Sequence, residues 1–279
     1  GSTLEKLVDN GGLPLILIHG GGGNILAFLP LMQKMKTSLW ALQLTAEVPL
    51  HSVDAIAQCY FENIKAAQPH GPYRLGAYCV TGIILFALAK LFEANGDQVA
   101  QLSVIENFPL LFTYNPFEPD EESIRQQSPT NAMENRAIRE IAIPMFYINS
   151  PSHRHIAKEL IAELDGQLEK APPFIKATLH HYRRLYSIAC EFIFKLLPPG
   201  QSYSTSVARQ AMIDWLATVQ APVTTFVATE GIVKVFPECD DFGTCQAFPN
   251  ARVVKVPGNH FTIFESDIFS DSIQHWQQT

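Results

Sequence analysis

The chain has 279 residues, of which 47% are hydrophobic and 17% charged, so it can bury the core of one large domain. Its formal net charge of −7, without any basic run, argues against a nucleic-acid partner, and its longest apolar stretches are too short to span a membrane. The five cysteines are odd in number and follow no zinc-like spacing, so we expect reduced thiols, no metal site and a cytoplasmic location. Cys239 and Cys245 could pair, but a reducing compartment disfavours a disulfide there.

The first 110 residues alternate strand-like and helix-like patterns. The predicted strands cover residues 15–18, 39–44, 73–78 and 99–105. Asn24 and Ser52 are residue types that cap helices, so we predict a helix after each of them, the first running to about residue 35. A third helix is predicted over 80–94, closed by Asn95 and Gly96. Such an alternation predicts an α/β fold with a mostly parallel sheet and helices on both faces.

From about residue 114 to 219 the pattern changes to helical segments separated by prolines. The predicted helices cover residues 120–127, 131–141, 153–164, 173–197 and 206–219. Strands are predicted again at 223–228 and 252–256, and a last helix ends near His275. We therefore expect one domain with a core of residues 3–113 and 220–279. The segment between them is inserted at the carboxyl edge of a strand, where insertions form lids over substrate channels.

Cys79 lies where the third predicted strand meets the helix that follows it. An α/β-hydrolase presents its nucleophile at such a turn, usually as serine in Gly-x-Ser-x-Gly, and here Ala77 and Thr81 occupy the two glycine positions. A lone cysteine is most simply a buried hydrophobic residue. Its position at the carboxyl end of a parallel strand, and at a helix amino terminus that stabilises a thiolate, instead favours a nucleophile.

A histidine and four glycines follow the first predicted strand. In α/β-hydrolases a loop of this type donates one backbone N–H to the oxyanion, here from Gly20 or Gly21, and the residue after the nucleophile, Val80, donates the other. A flexible turn and a phosphate cradle for a dinucleotide are the alternatives. The second of these lacks the acidic residue expected at the end of the next strand.

His260 follows the last predicted strand, which is where the chain order nucleophile, acid, histidine places the catalytic base. Two carboxylates could orient its ring. Glu106 lies at the end of the fourth strand, whereas Glu230 follows the next-to-last strand, the commoner acid position in α/β-hydrolases. The residues alone leave both open.

Together these motifs resemble the type I thioesterase domains that end nonribosomal peptide and polyketide synthases, along nearly the whole chain. The segments that carry the resemblance are residues 17–23, 71–82, 104–107 and 258–261. The resemblance implies an α/β-hydrolase fold with a helical, substrate-binding lid over about 114–219. It places Glu106 at the family's aspartate position, which favours it over Glu230, and it makes Tyr78 a candidate substrate contact.

The resemblance also implies a terminal thioesterase with a triad of Cys79, His260 and Glu106. Such a domain takes an acyl or peptidyl chain from the phosphopantetheine of an upstream carrier domain and binds no cofactor, nucleic acid or membrane. The departures at Cys79, Ala77, Thr81 and Glu106 are typical of a natural cysteine enzyme. Cysteine members of the family are associated with β-lactam or β-lactone rings, so we expect release by cyclisation. Hydrolysis to the free acid, a type II editing thioesterase and a non-catalytic binding module are the alternatives.

Overall fold

The computed structural model describes residues 1–113, 173–235 and 239–275. Within these residues seven strands form one sheet in the order β1-β3-β2-β4-β5-β6-β7. The strands are β1 Leu4–Val8, β2 Leu15–Ile18, β3 Leu39–Leu42, β4 Tyr73–Tyr78, β5 Val99–Ile105, β6 Val223–Ala228 and β7 Arg252–Val256. The edge strand β1 pairs antiparallel with β3, and the other neighbouring pairs are parallel. The predicted α/β fold with a mostly parallel sheet is confirmed.

Helices occur in the connections between strands and after the last strand. The longer ones are α1 Val53–Ala67, α2 Gly82–Ala94, α3 Pro173–Leu196, α4 Thr205–Leu216 and α5 Asp267–Gln274. The shorter ones are the α-helical turns Ile232–Val235 and Thr244–Ala247 and the 3₁₀ helices Leu26–Leu31, Cys79–Thr81, Pro109–Thr113 and Thr262–Glu265. In the three described ranges, no helix is both long and apolar enough to cross a membrane.

Most of the predicted elements of the core are present at or close to their expected bounds. Ser52 caps α1 as predicted, because its Oγ accepts the N–H of Ala55 at 3.0 Å. The helix predicted from residue 80 begins at Gly82, after a 3₁₀ turn. The helices predicted at 173–197 and 206–219 are confirmed as α3 and α4, while those at 120–127, 131–141 and 153–164 lie outside the described residues.

The helix predicted after Asn24 is wrong. The chain forms only the 3₁₀ helix Leu26–Leu31, and the Asn24 side chain accepts the N–H of Leu26 at 3.0 Å in a local turn. Pro30 lies inside this segment. Proline has no N–H to donate and its ring collides with the carbonyl four residues earlier, so a longer α-helix is disfavoured here.

A buried arginine anchors the last helix to the sheet. Arg74 in β4 is fully buried, and its Nε donates to the Gln101 side-chain oxygen at 3.0 Å. Its Nη2 donates to the carbonyls of Ile273 and Gln274 at 3.4 and 3.3 Å. These carbonyls end α5, where the helix dipole is negative, so the cation stabilises that end. Burial lowers the pKa of Arg74 to about 10.

Candidate active site

Cys79 occupies the sharp turn between β4 and α2. Its φ is 62°, in the left-handed region that residues with a side chain rarely adopt. The preceding residue is still extended, with φ −114° and ψ 134°, so the whole change of direction falls on Cys79. This is the backbone geometry of a nucleophile elbow, which presents a side chain at the carboxyl edge of the sheet. Cys79 is only 3% exposed.

His260, in the loop after β7, forms hydrogen bonds to both other residues of the expected triad. Its ring bonds to the Cys79 side chain, and its Nδ1 lies 3.3 Å from Oε1 of Glu106. Since an ionised carboxylate only accepts, Nδ1–H donates to Glu106, which leaves Nε2 for Cys79. Burial by itself lowers the pKa of His260, but the Cys79 side chain and then Glu106 outweigh it and raise the pKa to about 9. A protonated imidazole therefore faces the sulfur at neutral pH.

Glu106 is held by backbone donors as well as by His260. It is fully buried, with φ 56°, directly after β5. Its Oε2 accepts the N–H of Ala228 at 2.8 Å, and its Oε1 accepts the N–H of Ile232 at 3.1 Å. Hydrogen bonds to a charged acceptor offset the cost of burying the carboxylate. A side-chain carbon at Gly231 would overlap this carboxylate, so glycine is required there.

Glu230 does not reach the histidine ring. Its side chain is 63% exposed and pairs with Lys234, with 3.4 Å between the carboxylate oxygen and Nζ. Only its backbone supports the histidine loop, since its N–H donates to the Gly258 carbonyl at 2.9 Å. Of the two candidate acids, the structure brings Glu106 to His260.

His19 stiffens the glycine loop. It is fully buried, with Nδ1 2.6 Å from the Gly20 carbonyl and Nε2 2.6 Å from the Tyr60 hydroxyl. Burial is the main reason why the pKa of His19 falls to about 4, so the ring is neutral at pH 7. A carbonyl only accepts, hence Nδ1 carries the proton and the Tyr60 hydroxyl donates to Nε2. Sequence reasoning missed Tyr60, which lies on α1 without any motif.

The glycines are packed against the elbow on one side and α3 on the other. A Cβ at Gly20 would come within 2.8 Å of the Tyr78 ring, and one at Gly21 would overlap the Tyr182 ring. The candidate oxyanion residues Gly20 and Gly21 are thereby placed beside the turn that carries Val80, which is itself buried. The close approach of these two rings to the backbone explains why Gly20 and Gly21 carry no side chain.

Tyr78, the candidate substrate contact, supports His260. Its ring stacks on the imidazole with 4.9 Å between ring centroids, and its hydroxyl donates to the His260 carbonyl at 2.6 Å. The side chain is 5% exposed. Tyr78 thus packs against the His260 ring, and its hydroxyl is already hydrogen-bonded within the protein.

Helix α3, which lies in the predicted lid, brings two tyrosines to the site. Burial first, and then the proximity of Cys79, raises the pKa of both Tyr182 and Tyr186. Tyr186 also packs edge-on against Phe112, with ring centroids 6.1 Å apart. The described part of the predicted lid therefore brings two tyrosine rings into the neighbourhood of Cys79.

Other potential sites are separate from this constellation. A cavity of about 790 Å³ lies at the amino-terminal ends of three strands. Val99, Val223 and Arg252, the first residues of β5, β6 and β7, are among the residues that line it. Among the residues that the structure describes, no three His, Cys, Asp or Glu side chains are arranged to hold a metal ion. The five cysteines are free thiols, so Cys239 and Cys245 do not form a disulfide.

The chain is similar to thioesterase domains and to synthases that are much longer than it. Residues 13–110 match a family model described as thioesterase domain. The chain is 30% identical, over 98% of its length, to the highly reducing polyketide synthase stpks1 of Strobilurus tenacellus. A shorter part, 31% of the chain, is 36% identical to the aspulvinone E synthetase melA of Aspergillus terreus. The chain spans 10% of the length of each of these two relatives.

Solved thioesterase structures share the fold at low sequence identity. The NocB thioesterase domain, in covalent complex with a fluorophosphonate nocardicin G analog, superposes with a TM-score of 0.60 at 18% identity, covering 97% of both chains. The four-domain nonribosomal peptide synthetase AB3403 superposes with a TM-score of 0.61 at 18% identity, covering 98% of this chain and 20% of that one. The chain therefore has the α/β fold of thioesterase domains, and its residues 13–110 carry the sequence pattern of that family.

Proposed function

We propose that this chain is a terminal thioesterase domain, which releases an acyl or peptidyl chain from a carrier-bound phosphopantetheine thioester through an acyl-Cys79 intermediate. One observation carries the proposal. Cys79 lies at a strained elbow with φ 62°. Its side chain is hydrogen-bonded to His260, and the other ring nitrogen of His260 is hydrogen-bonded to Glu106. The match of residues 13–110 to thioesterase domains supports the class of reaction. The upstream partner is an acyl or peptidyl carrier domain, in line with the multidomain synthetase that shares this fold.

The first step transfers the acyl group to the enzyme. The Cys79 thiolate attacks the thioester carbonyl, and the backbone N–H of Val80 and one from Gly20 or Gly21 stabilise the oxyanion. The carbon–sulfur bond to pantetheine then breaks, and the imidazolium of His260 gives its proton to the departing thiolate. Glu106 holds the ring in the orientation that this transfer requires, through the bond at 3.3 Å.

The second step releases the product by attack of a nucleophile within the acyl chain. His260, now neutral, takes the proton of an amide, amine or hydroxyl group as that group attacks the acyl carbon, and the Cys79 thiolate departs. The acyl-enzyme is itself a thioester, so it keeps the activation of the substrate, and a weak or strained nucleophile can still close a β-lactam, a β-lactone or a larger ring. Burial of the triad, at 3% exposure or less, supports this route over attack by bulk water.

The test uses a synthetic acyl-pantetheine thioester that contains an internal hydroxyl or amide group. We expect a released product lighter by one water than the free acid, which marks a ring. Free acid as the sole product would refute cyclisation and leave a hydrolytic thioesterase. Cys79→Ala should abolish loading and release, whereas Cys79→Ser should still load but release more slowly, because its ester is less activated. Normal turnover by the Ala variant would overturn the acyl-Cys79 intermediate, and failure of the wild type to react would favour a binding module.

A further inference from the structure

Thr81 occupies an elbow position at which the hydrolase pattern has glycine. Its side chain is fully buried, and its hydroxyl oxygen lies 2.8 Å from the His19 carbonyl and 2.9 Å from the Tyr78 carbonyl. Carbonyls only accept, so the hydroxyl donates its single proton to these two oxygens as a shared bond. The His19 carbonyl lies at the start of the glycine loop, and the Tyr78 carbonyl lies at the start of the nucleophile elbow. Thr81 therefore ties together the two segments that supply the proposed oxyanion donors.

This tie fixes the direction of a backbone N–H in the glycine loop. A trans peptide unit is planar, so its C=O and its N–H point in opposite directions. Holding the His19 carbonyl at Thr81 consequently orients the N–H of Gly20. The next peptide unit is fixed as well, because the Gly20 carbonyl accepts from His19 Nδ1 at 2.6 Å and from the Gly23 N–H at 3.1 Å. The orientation of this second peptide unit sets the direction of the Gly21 N–H.

We propose that Thr81 is a positioning residue for the oxyanion hole. Its hydroxyl holds the peptide units of the glycine loop at a fixed place relative to Cys79 and Val80, so that a loop N–H and the Val80 N–H converge on one oxygen. The inference rests on the proposed function. Donors of this kind accelerate acyl transfer only when they are aligned before the reaction, and a glycine at position 81 would leave the loop and the elbow without this link.

The experiment compares two reactions of the same sulfur. Acylation by an acyl-pantetheine thioester builds up an oxyanion, whereas alkylation by iodoacetamide displaces iodide and builds up none. Both rates are measured at Cys79 by peptide mass spectrometry in wild type, Thr81→Val, Thr81→Ala and Thr81→Ser. The Val and Ala variants both lack the hydroxyl but pack differently, so either one suffices if the other does not fold. Circular dichroism and thermal unfolding select the folded variants.

Removal of one oxyanion donor costs on the order of 10²–10³ in rate, and a misaligned donor loses part of this. We therefore expect acylation to slow by about 10- to 100-fold in Thr81→Val and Thr81→Ala, in kcat with little change in KM. Alkylation should stay within about threefold of wild type, and Thr81→Ser should restore acylation. Equal losses in both reactions, or full acylation without the hydroxyl, would overturn the inference. Absence of acylation in the wild type, with normal alkylation, would instead refute the proposed function and the inference with it.

Discussion

Replacement of Glu106 by glutamine tests which acid serves the histidine. The amide has one acceptor oxygen, whereas the carboxylate accepts from Ala228, Ile232 and His260 through two. In either orientation the amide NH₂ therefore faces a backbone or imidazole N–H. A hydrogen bond to a charged group contributes about 1.5–3 kcal/mol. At about 1.36 kcal/mol per factor of ten, its loss lowers the acylation rate by about 10- to 150-fold.

The matched control is Glu230→Gln. Its carboxylate is 63% exposed and pairs only with Lys234 among the described residues, so we expect less than about a twofold change in rate. The assay measures kcat/KM with a synthetic acyl-pantetheine thioester, alongside thermal unfolding of each variant. A folded Glu106→Gln enzyme with wild-type kcat/KM, or a larger loss in Glu230→Gln, would refute the assignment of Glu106 as the orienting acid.

Three further changes test the surroundings of the site. Gly231→Ala should lower kcat/KM by about 10-fold or more, because the added carbon displaces the Glu106 carboxylate from its place beside His260. Gly12→Ala on the surface should leave kcat/KM unchanged, and equal kcat/KM values for the two variants would contradict this packing. Tyr60→Phe should lower the free energy of unfolding by about 1–3 kcal/mol in urea titrations, since it leaves a buried imidazole nitrogen unpaired, and an unchanged stability would contradict that role. The pKa of His260 rises from 6.5 to about 9, so the folded protein keeps a proton that the unfolded chain loses in this interval. Stability should therefore fall by up to about 3 kcal/mol as pH rises from 6.5 to 9, and an equally steep fall in Cys79→Ala would show that the sulfur does not cause the shift.

The sheet and the approximate places of the site residues could be predicted because they follow local patterns. Short apolar runs that end in His19, Cys79 or Glu106 indicate buried parallel strands, and such strands bring their carboxyl ends to one edge. The edge strand β1 carries no such run, because it is half exposed and contains two charged residues. Pairing with β3, and not its own pattern, makes it a strand.

The choice of acid could not be predicted from spacing because it depends on contacts across the sheet. Glu106 reaches His260 only through a left-handed turn at φ 56° and the backbone N–H groups of Ala228 and Ile232, more than a hundred residues away in the chain. The position of the Tyr182 ring against Gly21 could not be predicted either, because it depends on how α3 packs on the core.

The position of the acyl group in the acyl-enzyme, trapped before product release, is the most direct test of Cys79 as the nucleophile. Wild-type protein is mixed with an acyl-pantetheine thioester, quenched in acid and digested, and each cysteine peptide is weighed. We predict an added acyl mass on the Cys79 peptide, with the peptides of Cys59, Cys190, Cys239 and Cys245 unchanged, and no adduct in Cys79→Ala. An acyl adduct on another residue, or product release by the Ala variant at the wild-type rate, would contradict this assignment.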